Sequence, residues 1–205
     1  MEAVESPARV DLFWLPLGAG GRSVRLNGRV YERLTAALHR RAPRDLYHSA
    51  LEVWVPEGRF VVEQAPAGAD GRARGVVAEG PVGSRLAGRW RLFRYEVRRW
   101  RCGAIPDVDE AVESPLRLST DSGVAQRLFS LVSEVPTLTW GRDESRAGEM
   151  WNSNSIIAWL LARSGVDASA IRPPAGGRAP GWSAGVRVAA NGPRRAAEMP
   201  QPAYE

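Results

Sequence analysis

The 205-residue chain contains no lysine, one cysteine and two histidines. A single cysteine, Cys102, excludes an internal disulfide, and with so few histidines it also excludes a cysteine-rich metal site. No run of about 18 apolar residues exists, so no membrane-spanning helix is expected. The first residues, MEAVESPARVDLFW, carry acidic groups where an export signal would be basic, and a cytoplasmic protein is expected. All 28 basic residues are arginine, and the formal net charge is +5. The arginines are spread along the chain, so nucleic acid is disfavoured as a partner.

Apolar content of 44% and charge of 25% suit a soluble domain with a substantial core. Arg9 to Gly18 reads as a buried strand. Asn27 is placed to cap a helix over Arg29–Arg41, which Pro43 ends. The runs LYHSALEVWV and RFVVEQ form the clearest hairpin in the sequence, joined at Pro56-Glu57-Gly58. Alternation sets Leu51, Val53 and Val55 on one face, and His48, Ala50, Glu52 and Trp54 on the other. A turn at Glu57-Gly58 pairs Glu63 with Glu52 and brings it to the face of His48; a slip of one residue brings Gln64 there instead.

A short strand is expected near Val76, and a longer one over Gly88–Cys102 with its arginines protecting an exposed edge. A helix start is expected at Pro106–Glu110, a second helix over Gly123–Val132 and a loop over Pro136–Met150. Ser155–Ser164 is nearly all apolar and reads as a buried helix closed by Gly165. The glycine- and proline-rich stretch after it is expected to be irregular. One domain spanning 1–188 is expected, with a disordered tail over 189–205. Strands followed by helices indicate an α+β class.

Chemistry-bearing residues converge on WNSNSIIAWLL. Asn152, Ser153, Asn154 and Ser155 crowd a helix N-terminus, where free N–H groups and the dipole stabilise an oxyanion. Nucleophilic catalysis also needs a base and a group that orients it. His48 is the only histidine on a core strand, and Glu63 lies on its partner strand. Asn and Ser ahead of an apolar helix are also ordinary caps. Cys102 follows a strand and reads as a small hydrophobe.

The order of these motifs resembles the circularly permuted papain-like superfamily, which includes NlpC-type peptidases and lecithin retinol acyltransferase-like enzymes. In these, a histidine opens a strand, a polar residue follows in a run like VVEQAP, and an N-C-x-x motif begins a helix. The chain resembles a bacterial branch with serine in place of the nucleophilic cysteine. The resemblance implies an α+β papain-like core with an antiparallel sheet packed on the nucleophile helix. It assigns Ser153 to the nucleophile, His48 to the base and Glu63 to the orienting group, with Asn152, Asn154 and Gln64 in support. The implied function is a hydrolase or acyltransferase acting on an amide, ester or thioester of a small molecule, lipid or peptide, without a cofactor. A serine hydroxyl, unlike a thiol, needs its base throughout the reaction. The alternative is an inactive papain-like fold that binds a ligand or a protein.

Overall fold

The computed structural model describes residues 8–17, 42–68 and 75–192. The expected helix over 29–41 and the residues from 193 onward lie outside the described residues. Six strands form one antiparallel sheet: β1 (Arg9–Pro16), β2 (Tyr47–Val55), β3 (Gly58–Pro66), β4 (Val76–Pro81), β5 (Arg94–Arg101) and β6 (Val112–Ser119). Their order across the sheet is β4-β5-β3-β2-β1-β6. Three α-helices follow among the described residues: α1 (Ser122–Leu131), α2 (Ser153–Ser164) and α3 (Trp182–Asn191). The class is α+β, and no helix among the described residues is long and apolar enough to cross a membrane.

Alternation along the strands divides the sheet into two unlike faces. On the first, Val10, Leu12, Trp14, Leu51, Val53, Val55, Val62, Tyr95 and Val97 build the main core with α1 and α2. The second carries a smaller cluster of Phe13, Leu15, Ala50, Val61 and Ile105, laced with charge. There Arg98 binds Glu96 at 2.9 Å and lies 3.6 Å from Glu63, all three buried. Asp11 and Glu52 stand opposite each other on β1 and β2. Their mutual repulsion is offset by Arg117 on Asp11, Arg59 on Glu52, and Arg9, which reaches both.

Several expectations change. Val55 pairs with Gly58, so the hairpin turn is Pro56-Glu57 and Val61, not Glu63, stands opposite Glu52. Gly58 has φ +126°, a conformation open to glycine, which fixes this turn. β5 begins only at Arg94, after two 3-10 turns at Ala87–Arg89 and Arg91–Phe93, and it lies between β3 and β4 rather than at an edge. The expected helix at Pro106 is a single 3-10 turn, Val108–Glu110. It leads into β6, whose Pro115 and lack of any fully buried residue hide it from a hydropathy reading. An edge strand tolerates both, because one side of its ladder is unpaired.

α2 is buried on nearly all sides, and α3 covers one of them. α3 was expected to be irregular chain, and it continues through Asn191, past the domain end expected at 188. Its contact depends on small residues: Ala184, Gly185 and Ala189 are buried. A Cβ on Gly185 would lie 2.1 Å from the Ser155 carbonyl oxygen. Gly185→Ala gains about 1 kcal/mol of helix propensity. It also drives two helix backbones apart, which outweighs that gain. A net loss of about 1–3 kcal/mol is expected in urea unfolding, read as a lower midpoint at unchanged m-value.

Candidate functional site at the start of α2

Asn152 caps α2 and, with Ser155, forms a reciprocal capping box. Its side-chain oxygen accepts from the Ser155 N–H at 3.3 Å, and the Ser155 hydroxyl accepts from the Asn152 N–H at 3.1 Å. The same hydroxyl donates to the Gly181 carbonyl at 2.8 Å. Asn152 Nδ2 donates to the Pro180 carbonyl at 2.9 Å.

Asn154 completes the arrangement. Its Nδ2 donates to the carbonyls of Tyr47 and Pro180, each at 2.9 Å, and its Oδ1 accepts from the Ser49 hydroxyl at 2.8 Å. The amide is 3% exposed, and these bonds satisfy both its hydrogens and its oxygen. It thereby joins β2, α2 and the segment that leads into α3. Gly181 belongs to the same joint. A Cβ there would lie 2.4 Å from Asn152 Oδ1, and φ is +87°. The Gly181 N–H and the Ser183 hydroxyl donate to Glu149 at 3.0 and 2.7 Å, setting a carboxylate at the positive end of α3.

Ser153 is the first residue of α2 and is half-buried. The side chain that meets β2 from this helix start is Asn154, and its partner on the strand is Ser49. His48 is paired with Leu15, a member of the second cluster, so its imidazole shares that face. Ser49 and α2 lie on the first. The sheet therefore stands between His48 and the start of α2, and Ser153 and His48 are not brought together. Glu63 shares the face of His48 and pairs there with Arg98. Gln64 follows Val62 by two residues, which puts it on the helix side, away from His48.

Burial lowers His48 from 6.5 to about 4, with the Asp107 carboxylate pulling the other way. The imidazole is held neutral by desolvation rather than tuned toward neutral pH, where a general base works best. Tyr95 is raised to about 12 by burial, and its hydroxyl donates to the Leu138 carbonyl at 2.9 Å. In the 136–150 loop, Asp143 accepts from the N–H groups of Ala147 and Gly148, and Glu144 accepts from Thr139 and Arg85. Arg85 is the main reason that Glu144 falls to about 2. Cys102 is exposed rather than packed. No group of three or more His, Cys, Asp or Glu among the described residues is placed to hold a metal ion.

The residues that sequence reasoning missed are Ser49, Pro180 and Gly181. Ser49 was within reach of it, since alternation already sets position 49 on the face of Leu51. Scans of protein-family models, of curated proteins and of solved structures each return no match.

Three outcomes follow for this site. Asn154→Ala strips partners from a buried hydroxyl and two carbonyls, and is expected to lose about 2–4 kcal/mol in chemical denaturation. Ser153→Ala should stay within about 0.5 kcal/mol of the parent. For His48, the unfolded chain takes up its proton first as pH falls. Its contribution is full above about 6.5 and declines as pH falls toward about 4, by at most about 3 kcal/mol. His48→Gln should remove that part of the acid-side slope in thermal unfolding measured between those pH values.

Proposed function

We propose that this chain is a non-catalytic module that binds a ligand or a protein, built on a core of the permuted papain-like kind. The order of parts supports the chassis: a strand hairpin first, then a polar helix start packed against it. The pairing of Asn154 with Ser49 carries the non-catalytic reading. In a papain-like enzyme the nucleophile at the helix start meets the base on the strand. Here an amide meets a hydroxyl at that junction, and neither removes a proton at neutral pH.

The distribution of bonds supports the same view. An oxyanion site needs donors aimed at open space, where charge develops in the transition state. The donors of Asn152, Asn154 and Ser155 are instead spent on the carbonyls of Tyr47, Pro180 and Gly181. The polar run at the start of α2 is thus accounted for as a joint between sheet and helices. A hydrolase or acyltransferase using Ser153, His48 and Glu63 would require His48 to cross the sheet.

Exposure to a fluorophosphonate should label the parent no more than Ser153→Ala does. In a Cys102→Ser background, Ser153→Cys should react with iodoacetamide no faster than an ordinary exposed thiol. Stoichiometric labelling of Ser153 that is abolished by His48→Ala would overturn the non-catalytic reading.

A further inference from the structure

The stretch joining β4 to β5 presents apolar side chains that the core does not use. Leu86 and Trp90 are each 62% exposed, Leu92 is 84% exposed and Phe93 is 44% exposed. Neither 3-10 turn in this stretch buries any residue. Trp140, 38% exposed, is tied to the start of the same stretch through its backbone, its carbonyl accepting from the Gly83 N–H at 2.9 Å. Four large apolar side chains exposed within residues 86–93 point to an interaction site.

The backbone beneath these side chains is held firmly. Val82 N–H donates to Phe93 O at 2.8 Å, Arg94 Nε to Gly88 O at 2.6 Å and Arg142 Nε to Gly83 O at 2.7 Å. Gly88 lies against Pro81, where a Cβ would approach to 2.6 Å. The apolar residues therefore stand on a fixed tip and are not waiting to fold inward.

Charge selects the occupant. Residues 82–95 contain four arginines and no acidic residue. Glu144 engages Arg85 and Glu79 engages Arg94. Arg91 comes within 3.8 Å of Glu96 yet keeps 71% of its side chain exposed, and Arg89 is exposed as well. The surplus positive charge thus flanks Trp90 on both sides. We propose that residues 84–93 form a docking tip that seats Leu86, Trp90, Leu92 and Phe93 in the interface of an anionic lipid bilayer.

Tryptophan and phenylalanine suit the headgroup boundary, leucine suits the acyl region below it, and arginine suits anionic headgroups. A side chain 84% exposed stands out from the surface. A bilayer deforms around such a point, whereas a protein partner would need a matching cavity. Single-stranded nucleic acid stacks on flat rings, and Leu92, the most exposed large apolar side chain of the tip, offers none. The proposal uses a different surface from the start of α2, and the labelling outcome there does not bear on it.

Co-sedimentation of the full chain with vesicles tests it. Equimolar phosphatidylglycerol and phosphatidylcholine should pellet the protein, and pure phosphatidylcholine should do so at least tenfold more weakly. Leu92→Glu should reduce binding to the mixed vesicles at least tenfold while leaving the thermal midpoint unchanged, because the side chain is 84% exposed. Arg89→Glu should weaken binding to the mixed vesicles and leave that to pure phosphatidylcholine unaltered. Failure to pellet, equal binding to both vesicle types, or full binding by Leu92→Glu would each overturn the proposal. So would salt-sensitive binding to oligothymidylate with no response to vesicles.

Discussion

The buried amide of Asn154 is the interaction on which the layout of the molecule depends. Its three hydrogen bonds tie the first strand of the hairpin to the start of α2 and to the segment that launches α3. Such a group is stable only when every donor and acceptor is met, because a lost partner leaves a desolvated dipole with no compensation. That requirement fixes the height of α2 along β2. It also fixes the path of residues 178–181, whose carbonyls supply two of the acceptors around the helix start, and the close approach at Gly185 follows from it. The site and the core are therefore one construction: the polar residues that surround Ser153 in the sequence are those that hold the layers together.

Strand alternation sets the second constraint. Adjacent positions on β2 face opposite ways, so a helix packed against Leu51 and Val53 meets Ser49 and leaves His48 on the far side. That far side is specialised in another way. It pairs Arg98 with Glu63 and Glu96, surrounds Asp11 and Glu52 with arginines, and keeps the imidazole neutral by burial. Buried charge held this way contributes little net stability against an apolar equivalent, but removing one partner is costly. The face is thus bound to its present pairings.

The α+β class, the hairpin, β1, α1 and the capped end of α2 at Gly165 were legible because periodicity and punctuation mark them directly. Other features were not, and three of them show why. β6 carries a proline and few apolar residues, so only its pairing with β1 reveals it. α3 is rich in alanine and glycine, and its hydrophobic content becomes visible only once α2 supplies a surface for close approach. The hairpin turn fell one residue earlier than expected, which moved the partner of Glu52 by two positions, from Glu63 to Val61. A shift of two preserves the face, so Glu63 still shares the side of His48.

The candidate site was legible as a cluster, while the partners of its side chains were not. Asn152 and Ser155 read as caps, and they are caps. The family-like order of motifs directs attention to Ser153 and His48, yet the same alternation that placed Leu51 inward already turned His48 away from any helix packed there. The motif order carries no information about which face of β2 the helix would choose; the apolar face of the strand does.

The separation of His48 from the start of α2 is best measured by side-chain nuclear Overhauser effects in the labelled 22.4 kDa protein in solution. The Asn154 side-chain amide protons should show contacts to the Ser49 β protons, and the His48 ring protons should show contacts to the Leu15 methyls. Contacts between the His48 ring and the Ser153 β protons, with none between Ser49 and Asn154, would contradict the separation of the two faces and restore the catalytic reading.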